Sequence, residues 1–191
     1  MSCGKIVIIS GPSGVGKGTI VKALLAKYPN LTLSVSATTR APREGEEHGR
    51  EYYFISKSDF EERIEKGEML EYARYVDNYY GTPADAVENR LAEGKGVILE
   101  IEVQGARQVM NKRPDAVSIF ILPPDKQALI DRLHGRGTEP EEVIQKRVAM
   151  ALSELDAASD YRYNVVNDQL EQAIDEVVAI LQQEQACIDF I

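Results

Sequence analysis

The stretch that most constrains this chain is Gly11-Pro-Ser-Gly-Val-Gly-Lys-Gly-Thr19, which follows directly on the apolar run Lys5-Ile-Val-Ile-Ile-Ser10. Its glycines, Gly11, Gly14, Gly16 and Gly18, each weaken a local helix by roughly 1 kcal/mol, yet a helical pattern begins at once. Another need must hold them there. A glycine-rich turn between a strand and a helix lets successive backbone N–H groups converge on an anion, and the helix N-terminus adds its positive end. Lys17 points the same way, because a lysine in the first turn opposes the helix macrodipole unless an anion is bound beside it. The stretch reads as a phosphate cradle. It meets G-x-x-x-x-G-K-[ST] at Gly11, Gly16 and Lys17, but Gly18 stands where the hydroxyl belongs and Thr19 follows one residue later.

Composition narrows what surrounds the cradle. The 191 residues are 43% hydrophobic and 28% charged, enough for one domain with small insertions. A net charge of −9 argues against a nucleic-acid surface, which needs clustered Lys and Arg. Cys3 and Cys187 are the only cysteines and there are two histidines, so no zinc spacing is present and reduced thiols in a cytoplasmic protein are expected. No apolar run approaches membrane length.

The continuous apolar run Ile6 to Ser10 suits a parallel strand covered on both faces. A helix is expected from about Gly16 to Tyr28, a second strand over Leu31 to Ser36, and then a polar, aromatic, turn-rich insert over residues 37–82. Inside the insert Ser58-Asp-Phe-Glu61 reads as a capping box opening a helix that ends at Gly67, and Met69 to Val76 and Tyr79 to Thr82 as short strands. Pro83 starts a further helix to Glu93. Val97 to Glu102 returns to the sheet, with a helix from about Gln104 to Lys112 and a buried strand from Val117 to Leu122. Asp125 caps a helix to about Arg136, and Thr138-Glu-Pro-Glu141 opens another, running to about Ala158. A strand at Asn164 to Val166 and a helix opened by Asp168-Gln-Leu-Glu171 complete the chain. Such alternation implies a doubly wound α/β sheet, with ligands at the carboxyl ends of its strands.

Several residues then stand out. Arg40 and Arg43 flank Pro42, which keeps Ala41 extended, so the two guanidinium forks can converge on one phosphate. Tyr52 and Tyr80 can add hydroxyls. Taken singly, each arginine also reads as a solvated loop residue and each tyrosine as packing. Glu71 interrupts the apolar run Met69-Leu70-Tyr72-Ala73. A carboxylate there could accept the N1–H and 2-amino donors of guanine, a pair adenine lacks, or could face water on an alternating strand. Arg132 and Arg136 lie on one helix face, with Arg147 on the next helix and Gly135 and Gly137 between, an arrangement that can reach a transferring phosphoryl from above. His48 and His134 carry no assigned chemistry.

Taken together, Gly11-Pro-Ser-Gly-Val-Gly-Lys-Gly-Thr19, Ser36-Ala-Thr-Thr-Arg-Ala-Pro-Arg43, Gly81 after Tyr79-Tyr80, Glu100-Ile-Glu-Val-Gln-Gly105 and Arg136-Gly-Thr-Glu139 resemble, in order, the signatures of the guanylate kinase family, over residues 4–182. The resemblance implies an α/β fold: a doubly wound parallel sheet P-loop kinase core with an inserted GMP-binding subdomain and a small helical lid. In this single domain the core would span about 1–36, 83–134 and 159–191, the insert 37–82 and the lid 135–158. It implies transfer of the γ-phosphoryl group of ATP to GMP, with Mg2+ accompanying ATP. It puts ATP against Gly11, Pro12, Ser13, Gly14, Val15, Gly16, Lys17, Gly18 and Thr19, with Asn167 touching the adenine. GMP would meet Arg40, Arg43, Tyr52 and Tyr80 through its phosphate, and Ser36, Glu71, Thr82 and Glu102 through its base. Lys17, Arg40, Arg132, Arg136 and Arg147 would carry the catalysis.

The chain departs from the family in having Glu100 and Glu102 where aspartate is frequent in the acidic element. Both are expected on one face of a strand end, with Glu100 holding Mg2+ through water, because Gly18 offers no hydroxyl. Three rivals fit less well. A ribose 1,5-bisphosphate kinase would not need Glu71 with Thr82. A non-catalytic phosphopeptide-binding scaffold domain should have lost Lys17 or the loop glycines. A GTPase switch has no use for the insert. The partners expected are ATP and GMP, with neither nucleic acid nor membrane; the tail Cys187-Ile-Asp-Phe-Ile191 either packs on the core or joins a homo-oligomer.

Overall fold

The computed structural model of the chain describes residues 4–75, 77–135 and 140–186. In chain order the core opens with β1 (Ile6–Ser10), α1 (Lys17–Lys27) and β2 (Leu31–Leu33). The insert holds β3 (Ala37–Thr38), β4 (Tyr53–Phe54), α2 (Lys57–Glu65), β5 (Met69–Tyr75) and β6 (Asn78–Pro83). The core resumes with α3 (Ala84–Ala92), β7 (Gly96–Glu100), α4 (Val103–Lys112), β8 (Val117–Leu122) and α5 (Lys126–His134). Then come α6 (Glu141–Glu154), a 3-10 turn (Leu155–Asp160), β9 (Tyr163–Val166) and α7 (Leu170–Gln183).

The core sheet has the order β2-β7-β1-β8-β9, and every pairing within it is parallel. β1 is buried throughout, and its period of two sends Val7 and Ile9 into one apolar cluster and Ile6 and Ile8 into the other. The first cluster takes Ile20 and Leu24 from α1 and Val177 and Leu181 from α7. The second takes Val87 from α3 and Ala106 and Val109 from α4. Coverage on both faces is why β1 lacks polar alternation. Ile9 pairs with Glu100 in the ladder, so the loop leaving β1 and the acidic turn leaving β7 emerge side by side.

The insert forms a second sheet in the order β4-β3-β6-β5. Its buried apolar cluster is small, made of Ala37, Phe60 and Met69, with Phe60 stacked on Tyr79 at 5.2 Å. A register shift in β5 lies between Met69 and Glu71. The bulged strand re-aims successive side chains, so that Met69 packs in the insert, Leu70 enters the core cluster and Glu71 turns to the cleft between them.

Several expected boundaries change. The second strand ends at Leu33 rather than Ser36. The insert helix is capped by Ser56, which accepts from the Asp59 N–H at 3.0 Å, so the capping serine is two residues before Ser58. Pro83 closes β6 and precedes α3. The Val97–Glu102 strand becomes Gly96–Glu100, and α4 starts at Val103 rather than Gln104. The helix expected to reach Ala158 ends at Glu154 and continues as the 3-10 turn. Asp168 does not cap α7, whose N-cap is Gln169. Asp125 caps α5 as expected, accepting from the Ala128 N–H at 2.7 Å. Val76, Arg136, Gly137, Thr138, Glu139 and the tail from Cys187 lie outside the described residues.

Candidate active site

The phosphate loop is held in shape from behind. Gly16 stands at the N-cap of α1 with φ 101°, a left-handed backbone that favours glycine. A Cβ on Gly16 would come within 2.5 Å of the Asn167 side-chain nitrogen. That amide, buried, donates to the Val15 carbonyl at 2.8 Å. Arg132 donates to the Val15 carbonyl at 3.4 Å and to the Asn167 carbonyl at 2.9 Å. Asn167 and Arg132 therefore clamp the back of the loop. Lys17 Nζ donates to the carbonyls of Gly11 at 2.5 Å and Pro12 at 3.1 Å, which folds its ammonium over the cradle.

At Gly18, a Cβ would lie 3.3 Å from Glu100 Oε1. A carboxylate thus occupies the neighbourhood in which a hydroxyl was expected. Glu100 is pushed above its ordinary pKa by burial and by Glu102, against the pull of Lys17. The two carboxylates do not share a strand face: Glu100 ends β7, whereas Glu102 is the N-cap residue of α4. Both nevertheless line one cleft of about 500 Å3 with Lys17, Ser36, Tyr52, Glu71 and Tyr80.

Glu71 is 6% exposed, which removes the reading of a solvated strand residue. The Thr82 hydroxyl donates to its Oε1 at 2.7 Å. Its Oε2 lies against Gly105 of α4, where a Cβ would approach to 2.7 Å; Gly105 lines the same cleft. Burial raises the Glu71 pKa, opposed by the Thr82 hydrogen bond and by the charge of Lys112. The insert is fastened here: Gln108 accepts from the Tyr72 N–H at 3.2 Å and donates to the Tyr72 carbonyl at 2.8 Å. Lys112 donates to the Met69 carbonyl at 2.8 Å.

Arg40 stands 5.6 Å over the Tyr52 ring and 5.8 Å over Phe54, and Tyr52 meets Tyr80 edge-on at 6.1 Å. Arg40 donates to both Glu46 carboxylate oxygens at 2.9 Å. Glu46 also accepts from the Arg43 backbone N–H at 2.8 Å, the largest cause of its lowered pKa, followed by Arg40 once burial is overcome. Glu46 was not singled out in the sequence, where it was one acid among several in a charged loop. The Arg43 side chain is exposed. Arg147 of α6 reaches Ser13 Oγ at 3.2 Å, whereas Arg136 lies outside the described residues.

The arrangement offers an anion cradle with a lysine, a second cationic patch over an aromatic pair, and between them a buried carboxylate with an acidic rim. That suits two phosphorylated ligands meeting end to end. The family model described as guanylate kinase matches residues 3–184. The chain is 50% identical to a guanylate kinase of Synechocystis sp. over 182 residues, 95% of each chain. It is 51% identical to one of Nostoc sp. over 178 residues, 93% of this chain and 89% of the relative. A crystal structure of guanylate kinase from Anaplasma phagocytophilum matches with TM-score 0.70 at 34% identity, covering 96% of this chain and 87% of that one. The SH3-kinase fragment of tight junction protein 3 shares the fold alone, at TM-score 0.54 and 14% identity over 97% of this chain and 59% of that one.

Proposed function

The chain belongs to the guanylate kinase family, and from that premise we propose how its residues divide the transfer of the γ-phosphoryl group of ATP to GMP. The enzyme converts ATP and GMP to ADP and GDP. The observation that carries the division is Glu71: a buried carboxylate with one oxygen occupied by Thr82 in the same cleft as Lys17.

The guanine edge brings its two donors to Glu71, with Ser36, Thr82 and Glu102 completing the base pocket. Adenine cannot present that pair, and a site built to hydrogen-bond its substrate rejects an analogue lacking the group by roughly 10⁴-fold. The GMP phosphate takes Arg40 from Glu46 and meets Arg43, Tyr52 and Tyr80. The loop from Gly11 to Thr19 and Lys17 hold the ATP phosphates, and Asn167 keeps the loop closed from behind. The geometry favours that clamping role for Asn167 over a role at the adenine.

No general base is required. The acceptor phosphate has a second pKa near ~6 and is mostly ionised at neutral pH. Its oxygen forms the new bond to the γ-phosphorus as the bond to the β-bridging oxygen breaks, and ADP departs with those electrons. Catalysis is alignment and neutralisation of spreading charge, by Lys17, Arg40, Arg147 and, in the lid sequence, Arg136. Arg132 supports the loop that does this.

The donor set fits Mg2+ entering with ATP and held through water. Glu100 and Glu102 line the cleft with Lys17, and no group of three or more ligating side chains capable of enclosing an ion occurs among the described residues. When bound, the ion would offset negative charge on the transferring phosphates, and Glu100 and Glu102 would hold it through water. ATP and GMP are cytoplasmic metabolites, which supports action there. No helix among the described residues is long and apolar enough to cross a membrane.

The test offers GMP, AMP, CMP, UMP and ribose 1,5-bisphosphate separately with Mg-ATP and follows ADP. GMP alone should react. Lys17→Ala should lose at least ~10³-fold in kcat, and Glu71→Gln about 10- to 100-fold in kcat/KM for GMP. Turnover of the sugar phosphate alone would overturn the base pocket, and GMP binding without turnover would favour a scaffold role.

A further inference from the structure

One side of α4 is given over to the strand that carries Glu71. Gly105, Gln108 and Lys112 follow one another at spacings of three and four residues within α4, which stacks them on a single face of the helix. Lys112 donates to the Met69 carbonyl at 2.8 Å. Gln108 accepts from the Tyr72 N–H at 3.2 Å and donates to the Tyr72 carbonyl at 2.8 Å. The backbone is thus held on both sides of Glu71. Gly105 leaves the room that Glu71 Oε2 occupies, since a Cβ there would approach to 2.7 Å.

β5 needs such support more than an ordinary strand does. It is the outermost strand of the insert's sheet, and its register with β6 shifts between Met69 and Glu71. A bulge interrupts the ladder at the place where it re-aims a side chain. The insert's own buried cluster, Ala37, Phe60 and Met69, is a slight foundation for a carboxylate that must be placed accurately. By contrast, α4 is seated in the core through Val103, Ala106 and Val109. Thr82 holds one oxygen of Glu71 from within the insert, while the α4 face fixes the strand to the core. The reference frame for the carboxylate is therefore the helix.

We infer that Gln108 is a positioning residue for base selection: by clamping both backbone groups of Tyr72 it sets the Glu71 carboxylate at the depth and angle that the two donors of guanine require. This rests on the reading of Glu71 as the guanine contact. Gln108 lines a neighbouring hollow with Arg107 and Ser153, whereas Gly105 and Glu71 line the substrate cleft, so its influence on the base passes through the strand. An amide suits the task, because it supplies a donor and an acceptor at once and adds no charge beside a buried carboxylate. A hydrogen-bonding site rejects an analogue through the penalty of leaving its own buried group unpaired. That penalty is sharp only while the carboxylate is held still.

The experiment compares GMP with IMP, whose base keeps N1–H and lacks the 2-amino donor, in wild type, Gln108→Met, Gln108→Ala and Glu71→Gln. It measures kcat and KM for each acceptor at saturating Mg-ATP, with the KM for ATP and Tm alongside. Methionine keeps the length of the side chain and loses both bonds. In Gln108→Met the KM for GMP should rise about tenfold, with kcat within about threefold and the KM for ATP within about twofold. The preference for GMP over IMP in kcat/KM should shrink about fivefold. Gln108→Ala should move the same way and at least as far; if it does not fold, Gln108→Met carries the test. Glu71→Gln should erase most of the preference, and adding Gln108→Met to it should change the ratio by less than about twofold, because both act through one carboxylate. A wild-type preference in folded Gln108→Met, or equal losses for GMP and IMP, would overturn the positioning role and leave Gln108 a brace of the insert. A preference that survives Glu71→Gln would instead bring down the Glu71 reading on which the inference stands, so the two failures are told apart.

Discussion

The core sheet and the insert solve the same problem with unequal means. β1 is enclosed on both faces by two clusters that draw on α1, α7, α3 and α4, whereas the insert's buried cluster is Ala37, Phe60 and Met69. The first region carries the phosphate loop on its central strand, with Asn167 and Arg132 bonded to the back of the loop. The second gains its order from outside, through Gln108 and Lys112 of α4. A firmly packed phosphate loop thus sits beside a lightly built insert, and loosely packed elements are the ones that open locally.

The comparison breaks hardest at Phe120. Phe120→Ala empties a site in the centre of the sheet and should cost about 3–5 kcal/mol, lowering the denaturant midpoint for the whole chain in a single transition. Phe60→Ala removes the insert's fully buried aromatic ring; its effect should reach about 3 kcal/mol but stay regional. Hydrogen exchange should accelerate over residues 37–82 and the KM for GMP rise, with exchange in β1 and β8 and the KM for ATP unchanged. Uniform acceleration would mean that the two regions unfold as one.

Gly105→Ala sharpens the contrast at the join. Its Cβ would crowd Glu71 Oε2 at 2.7 Å, and a displaced carboxylate should cost up to about 10²-fold in kcat/KM for GMP, with ATP binding intact by titration. The smallest effect is thermodynamic. Burial raises the Glu71 pKa, so the folded chain holds that proton more tightly than the unfolded chain. Stability from this group is full below the ordinary glutamate pKa and declines as pH rises through the raised value. Glu71→Gln should therefore raise the neutral-pH Tm of the nucleotide-free enzyme by about 2 °C, the shift that ~1 kcal/mol causes at this size, while weakening GMP. A lower Tm would show that the charge is better compensated than its surroundings indicate.

How legible each region was follows from the same inequality. Ile6 to Ser10 and Val117 to Leu122 stand in the structure with the bounds read for them, because a strand covered on both sides writes an unbroken apolar run. In the insert, β3 and β4 escaped notice: two residues each are too short to show a period. The position of Ser56 as cap was masked by Ser58, an equally good sequence candidate two residues on. Glu71 was visible as an anomaly, but its burial depends on the bulge before it and on Gly105 far along the chain. Glu46 carried no local signal, since an acid in a charged loop resembles a solvated one until its partner is known.

The Gln108 contact has a further consequence. β5 is the outer strand of the insert's sheet, and an exposed strand edge invites pairing with a second chain. Gln108 gives Tyr72 the donor and acceptor that a neighbouring strand would supply, and Lys112 occupies the Met69 carbonyl. A side-chain amide impersonates a peptide group, and the edge is closed to strangers by the helix that also cradles the Glu71 carboxylate. The base contact proposed for Glu71 and resistance to aggregation at this edge would thereby both depend on neighbouring turns of one helix.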